Sequence, residues 1–190
     1  TYNSNDILKI SYCGRLEMKH KGLDLLFKSI KMMIDIKKNI FLDIIGDGID
    51  YEKLKKLANK LKIEKNIKFH HKQFGKDKDK ILKASDVFIH ASRWDGIPSS
   101  VLEAANLAIP IIVSKATNLE KYILNSNSGY IIDQLNENNI CNLLNKVIED
   151  KKNGELKIKG VKARNMTLEN FNWQENVKLM NENIYQKVII

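Results

Sequence analysis

The residues with the most chemical potential sit in one stretch, Ala91-Ser92-Arg93-Trp94-Asp95-Gly96-Ile97-Pro98-Ser99-Ser100-Val101-Leu102-Glu103-Ala104-Ala105, which carries a carboxylate at each end of a nine-residue window. It reads as a strand–loop–helix junction. Gly96 and Pro98 allow a tight backbone path, and Ser99 and Ser100 open a helix whose free amides would face the loop and favour an anion there. Two readings of Glu103 stand side by side. Ser100-Val101-Leu102-Glu103 is a capping box, in which Glu103 would reach back to the Ser100 amide. If the helix starts earlier, near Pro98, Glu103 falls in its second turn and points over a crevice as a ligand. Asp95 has a similar pair of readings, as a ligand or as an ordinary loop carboxylate in an Asx-type turn.

A second segment, Gly14-Arg15-Leu16-Glu17-Met18-Lys19-His20-Lys21-Gly22-Leu23, places two cations six residues apart on one loop. Arg15 with its planar fork and Lys21 as a point charge can close on a diphosphate from different sides. Lysine is so common here that any loop would carry one, whereas only three of the 32 basic residues are arginine: Arg15, Arg93 and Arg164. Gly46-Asp47-Gly48 is an incomplete GxGxxG that marks a tight turn near a ligand. His70 and His71 lack the spacing of metal ligands on a helix face and read as structural or solvent-facing. No Ser–His–Asp or Cys–His arrangement stands out, and no DxD motif would hold a divalent metal against a diphosphate. No metal or cofactor is therefore expected, and neutralising a leaving phosphate would fall to Arg15 and Lys21.

These residues need elements to position them. Short β-rich apolar runs alternate with helix-period segments, the signature of βαβ units around a parallel sheet. Strands are expected near Ile7–Cys13, Ile40–Ile45, Ile67–His70, Val87–His90, Ile111–Ser114 and Tyr130–Ile132. Leu23, Leu26, Phe27, Ile30 and Ile34 trace one helical apolar stripe, and Leu54, Leu57, Ala58 and Leu61 another. Breakers fall at the strand ends, at Gly14, Gly46 to Gly48, Gly96 with Pro98, and Ser128-Gly129. The pattern predicts an α/β, doubly wound, Rossmann-like sheet with helices on both faces, whose ligand lies beyond the carboxyl ends of the strands. From about Asn136 the chain reads as helical to its end, with Trp173–Ile190 a last amphipathic helix.

The length of 190 residues, with 43% hydrophobic and 29% charged residues, suits one compact domain with at most a small appendage. Cys13 and Cys141 lie far apart without CxxC spacing and suit a reducing compartment. The longest apolar runs fall far short of a membrane span, so a cytoplasmic location is expected. The net charge of +9 would suit nucleic acid, anionic lipid or an anionic small molecule. The first fits only generically, since no helix-turn-helix, RRM-like or OB-like pattern is present. The polar start, Thr1–Asp6 with a strand directly after it, suggests that a preceding domain is absent.

Taken together, the loops resemble the carboxyl-terminal domain of family 4 glycosyltransferases of the GT-B fold, the glycosyl transferases group 1. The matching elements are Gly14-Arg15 with Lys21-Gly22-Leu23, Ile45-Gly46-Asp47-Gly48, Ser85-Asp86-Val87-Phe88-Ile89, Ser92 to Gly96 with Glu103-Ala104, and Ile109-Pro110-Ile111-Ile112, in order over about residues 7–135. Phe171-Asn172-Trp173 and the segment after it resemble that family's closing helix.

The resemblance implies a nucleotide-sugar donor, with Arg15 and Lys21 holding the diphosphate and Gly14 and Asp47 also among the donor-binding residues. The segment Gly96, Ile97, Pro98, Ser99 and Ser100 would meet phosphate or sugar through its backbone amides, Pro98 having none to donate, and Glu103 would accept from the ribose hydroxyls. Asp95 would stand at the first acidic position of the family's E-x7-E motif, one methylene shorter than the usual glutamate. His71 replaces the usual glycine after the third strand, and Gln73 and Phe74, in a loop over Lys72–Lys76, would neighbour the base.

It also implies a retaining, metal-independent transfer in cell-surface polysaccharide or glycolipid synthesis. The catalytic burden would rest on Arg15, Lys21 and Asp95. Residues 1–170 would form the donor-binding domain, and 171–190 a helix crossing back to an absent amino-terminal domain that receives a sugar or lipid-linked acceptor. The isolated chain would bind donor without turning it over. The full-length protein would be cytoplasmic, with room for peripheral association at the inner membrane face, and would have no nucleic-acid partner. A sugar-nucleotide epimerase of the same fold and a basic nucleic-acid-binding domain are the competing readings.

Overall fold

A computed structural model describes residues 7–172 of the chain. The expected helix over Trp173–Ile190 lies outside the described residues.

Six strands, β1 (Leu8–Cys13), β2 (Ile40–Ile45), β3 (Ile67–Phe69), β4 (Val87–His90), β5 (Ile111–Ser114) and β6 (Gly129–Ile132), alternate with five helices. These are α1 (Leu23–Asp35), α2 (Tyr51–Leu61), α3 (Gly75–Lys83), α4 (Ser99–Asn106) and α5 (Glu120–Ser126), and α6 (Glu137–Lys152) and α7 (Glu155–Asn170) follow β6. All strand pairs are parallel, in the order β3-β2-β1-β4-β5-β6. The sheet is therefore doubly wound, and it reverses direction between β1 and β4.

The two faces follow from the two-residue period of a strand. Val87 and Ile89 of β4 and Ile112 of β5 join a core with Leu23, Phe27, Ile30, Leu54, Ile140 and Leu144, beneath α1, α2 and α6. Phe88, Ile111 and Val113 face the other way, onto Val101, Ala104, Ile123, Ala163 and Met166 of α4, α5 and α7. The central strands β4 and β5 are buried at every position. A strand covered on both sides gives the near-continuous apolar runs seen in the sequence.

The expected strands agree with the structure to within a residue at each end. Two local corrections concern the third strand. It ends at Phe69 rather than His70, and α3 begins at Gly75, so the loop expected over Lys72–Lys76 stops at Phe74. Just past the strand end, the His70 amide still donates to the Ile44 carbonyl of β2 at 2.9 Å, and its Nε2 lies 2.5 Å from Asp43 Oδ1.

Candidate functional site

At the sheet reversal the loops after β1 and β4 diverge, and an open sheet gathers its ligand at this point. A cleft of about 830 Å3 lies there, walled by all four loops that follow β1 to β4. That volume falls within the range usual for small-molecule sites.

Backbone contacts fix the loops against one another. Gly46 has φ 139°, and a Cβ on it would stand 2.0 Å from the Gly14 carbonyl oxygen, so the second loop presses directly on the first. The Leu16 amide donates to the Asp47 carbonyl at 3.0 Å, and the Asp50 amide returns a bond to the Leu16 carbonyl at 3.1 Å. Arg93 ties the first loop to the fourth. Its fork donates to Asp24 at 2.7 and 2.9 Å, and its amide donates to the His20 carbonyl at 2.9 Å. Burial alone would raise the Asp24 carboxyl, and the Arg93 fork overrides it and holds the group below the usual carboxylate range. Arg93 is thus committed to scaffolding.

Asp95 is anchored from several sides. Its Oδ2 accepts from Lys21 Nζ at 2.6 Å, His90 Nε2 at 2.8 Å and Ser92 Oγ at 3.1 Å. Its Oδ1 accepts from the Gly96 amide at 3.1 Å. Burial works against its ionisation, but the bonds from Lys21 and His90 outweigh that and hold Asp95 well below the usual carboxylate range. Donation from Nε2 leaves His90 Nδ1 as the acceptor nitrogen, and that atom is buried without a hydrogen-bond partner. Burial lowers the His90 pKa, and the Asp95 carboxylate opposes the shift.

The structure removes one of the two readings of Glu103, the capping box. Helix α4 begins at Ser99 with Pro98 as its N-cap, and no side chain caps it. Ser100 therefore lies inside the helix, the capping box is absent, and Glu103 falls in the second turn. Its carboxylate lines the cleft and accepts from Lys78 Nζ at 2.5 Å.

Arg15 and Lys21 share the cleft but differ in state. The Arg15 side chain is 73% exposed and donates to Glu17 at 2.9 Å, whereas Lys21 is 13% exposed and held by Asp95. Asp47 does not face the cleft as a free carboxylate, since it accepts from His71 Nδ1 at 2.7 Å and the Lys72 amide at 3.0 Å. The His71 hydrogen bond keeps Asp47 below the usual range. His71 itself has φ 54°, the left-handed conformation that glycine adopts freely, and it stacks on Tyr51 at 4.7 Å. Gln73 braces its loop through a 2.7 Å bond to the His70 carbonyl, and Phe74 stands 75% exposed at the rim.

Of the residues singled out in the sequence, Gly14, Arg15, Lys21, Asp47, Gln73, Phe74, Asp95, Pro98, Ser99, Ser100 and Glu103 all line the cleft. Gly96 and Ile97 are not part of that lining, because the loop turns their side outward: a Cβ on Gly96 would meet nothing within 4 Å, and Ile97 is exposed. Sequence reasoning missed Cys13, His20, Lys78 and His90. Burial pushes the Cys13 thiol up to about 11. His20 stacks on Trp94 at 4.8 Å and bridges Glu17 Oε2 and the Trp94 carbonyl at 3.0 and 2.8 Å. Lys78 gave no signal in a lysine-rich chain, and His90 looked like the end of an ordinary buried strand. Among the described residues, no group of three or more His, Cys, Asp or Glu is placed to hold a metal ion. Cations on the loop after β1, amides at the start of α4 and a carboxylate acceptor in the second turn of the same helix suit an anion joined to a hydroxylated ring.

Comparison with known proteins agrees with this geometry. The family described as glycosyl transferases group 1 matches residues 3–164. The chain is 33% identical over 173 residues to an uncharacterized glycosyltransferase of Methanocaldococcus jannaschii, covering 90% of this chain and 43% of the relative. It is 32% identical over 139 residues to the Escherichia coli UDP-Gal:alpha-D-GlcNAc-diphosphoundecaprenol alpha-1,3-galactosyltransferase, covering 72% of this chain and 34% of that protein. The chain thus spans less than half the length of these two relatives. Its fold matches the carboxyl-terminal domain of a glycosyl transferase group 1 family protein from Francisella tularensis with a TM-score of 0.73 at 20% identity, covering 88% of this chain and 87% of that one. Sequence and fold therefore agree that the chain belongs to the glycosyl transferases group 1 and forms the carboxyl-terminal, Rossmann-like half of their GT-B architecture.

Proposed function

We propose that the cleft holds the nucleoside diphosphate of an activated sugar, and that the protein transfers this sugar to an acceptor in the synthesis of a cell-surface polysaccharide or glycolipid. The observation that carries this reading is the convergence of Arg15, Lys21, the start of α4 and the Glu103 carboxylate on one cleft. A diphosphate calls for the first three, and ribose hydroxyls call for an acceptor such as the fourth. The Escherichia coli relative takes UDP-Gal and a diphosphoundecaprenol-linked GlcNAc by its name. A lipid-linked acceptor of that kind would bring the protein to the inner face of a membrane, although no described helix is itself long and apolar enough to cross one.

In such a transfer the bond between the anomeric carbon and the diphosphate oxygen breaks, and negative charge develops on the leaving group. Arg15, Lys21 and the amides of Ser99 and Ser100 meet that charge from preorganised positions, which stabilises the transition state more than the ground state. Asp95, fixed by its four donors, presents its remaining acceptor capacity to the transferred sugar. Side-chain cations serve where other transferases use a divalent metal, and the transfer is of the retaining type. The acceptor comes from outside this chain, which alone binds donor and transfers nothing.

The test is a panel of nucleotide sugars screened for thermal stabilisation of the chain, since a ligand that binds only the folded form raises its stability with saturation. The best donor is then offered to the longer protein with and without a lipid-linked acceptor. Stabilisation by one nucleotide sugar, with sugar transfer only when acceptor is present, supports the reading. Conversion of donor without acceptor would mark an epimerase, and stabilisation by an oligonucleotide alone would mark a nucleic-acid site.

A further inference from the structure

Lys78 is a cleft residue that the proposed chemistry does not use. It projects from α3, which starts directly after the Gln73–Phe74 loop, and reaches Glu103 on α4. The lysine is the more enclosed partner, with its side chain 18% exposed against 45% for Glu103. Its ammonium is held charged, with the pKa raised first by the hydrogen bond to Glu103, while partial burial opposes the shift. The contact occupies only Oε2, and among the described residues Glu103 Oε1 has no hydrogen-bond partner. A cation packed into the wall thus grips one oxygen of a half-exposed carboxylate and leaves the other for whatever enters the cleft.

We propose that Lys78 is a positioning residue that orients Glu103 and thereby sets the preference for ribose over deoxyribose in the bound nucleotide. The inference rests on the reading that Glu103 faces a nucleoside diphosphate. A glutamate on an open helix face samples several rotamers, and ordering it on binding opposes affinity. Lys78 selects one rotamer before the ligand arrives. It has a second effect, neutralising a negative charge beside the diphosphate, but that effect is blind to the sugar. The two separate cleanly: charge neutralisation changes affinity for ribonucleotide and deoxyribonucleotide alike, and orientation changes their ratio.

The experiment measures, by titration calorimetry, binding of UDP and 2′-deoxy-UDP, and of GDP and 2′-deoxy-GDP, to the wild-type chain and to Lys78→Met and Lys78→Arg. Lys78→Met keeps the length and apolar stem without the charge, and Lys78→Arg keeps the charge and donors. Wild type is expected to prefer the ribonucleotide, Lys78→Met to lose about fivefold of that preference, and Lys78→Arg to restore most of it. Equal weakening of both nucleotides by Lys78→Met, an unchanged ratio, or no rescue by arginine would overturn the inference and leave the proposed function standing. Wild type that binds the diphosphates without preferring ribose would remove the ribose role of Glu103, and this inference with it. Wild type that binds none of the four would overturn the proposed function itself.

Discussion

Lys21, on the loop after β1, and Asp95, on the loop after β4, lie 74 positions apart in the chain and 2.6 Å apart in the cleft. The pair spans the line where the sheet reverses, so the fold itself brings together a cation and a carboxylate that neither loop could place alone. Both side chains are largely withdrawn from water, at 13% and 18% exposure, so removal of either partner leaves a poorly solvated charge uncompensated.

Acid stability should report this pair. The folded-state pKa of Asp95 is depressed, so the stability it contributes is present above its ordinary value of 3.8 and is lost as the pH falls below that toward the folded value. Replacing Lys21 by Met removes a major cause of the depression. Acid unfolding of Lys21→Met, followed by circular dichroism, should therefore begin at a higher pH than in the wild type. An identical acid limb in the two proteins would mean that Lys21 does not hold Asp95 ionised.

Arg15 and Lys21 should separate by effect. Arg15→Ala removes an exposed side chain whose bonded partner is Glu17, so the melting temperature should stay nearly unchanged. Affinity for a nucleoside diphosphate should still fall by the roughly 1.5–3 kcal/mol of a charge-assisted bond. Lys21→Ala should lose both affinity and stability. Binding of the bare nucleoside should change little in either variant, and calorimetry on nucleoside and diphosphate side by side distinguishes these outcomes. Equal losses for both ligands would remove these residues from the phosphates.

Glu103 does not cap α4, so Glu103→Ala should cost no more stability than its half-exposed ion pair with Lys78 contributes, up to about 1 kcal/mol. Glu103→Gln should weaken the ribonucleotide more than its 2′-deoxy counterpart. Unchanged affinity would contradict the ribose role, and a larger loss of stability would contradict the geometry of the helix start.

His90 should resist protonation. Burial lowers its pKa from 6.5, so it stays neutral at pH values where an exposed imidazole is half charged. Because the folded state holds this proton less tightly than the unfolded chain, its share of stability falls as the pH drops below 6.5. Its ring resonances in an NMR titration of the four histidines should move only at a pH below that value. Titration at or above it would show that the Asp95 carboxylate outweighs burial.

How much of this was legible in the sequence depended on the kind of signal. The sheet was readable because strands buried on both faces, such as Val87–His90 and Ile111–Ser114, give unbroken apolar runs bounded by breakers. The cleft lining was readable where it rested on scarce residue types in loops, such as Arg15 and the Asp95-to-Glu103 window. Arg93 was equally scarce and equally placed, yet it clamps Asp24, because composition does not reveal which way a fork points. The start of α4 had two consistent sequence readings, and only the backbone path through Pro98 chose between them. Lys78 and His90 were invisible for opposite reasons: one belongs to the commonest charged type in the chain, and the other lies in a strand whose every position is buried.

The central claim is that a nucleoside diphosphate occupies the cleft at the sheet reversal, and amide chemical-shift mapping of the chain titrated with UDP and with GDP tests it most directly. The account predicts that the largest shifts from whichever diphosphate binds fall on Gly14 to Gly22, Gly46 to Gly48, Lys72 to Phe74 and Asp95 to Glu103. A basic groove lined by Lys37, Lys38, Lys151 and Lys152 lies at the amino ends of the strands, and it should remain unperturbed. Shifts concentrated at those four lysines, or absent from the cleft loops at millimolar ligand, would contradict the account.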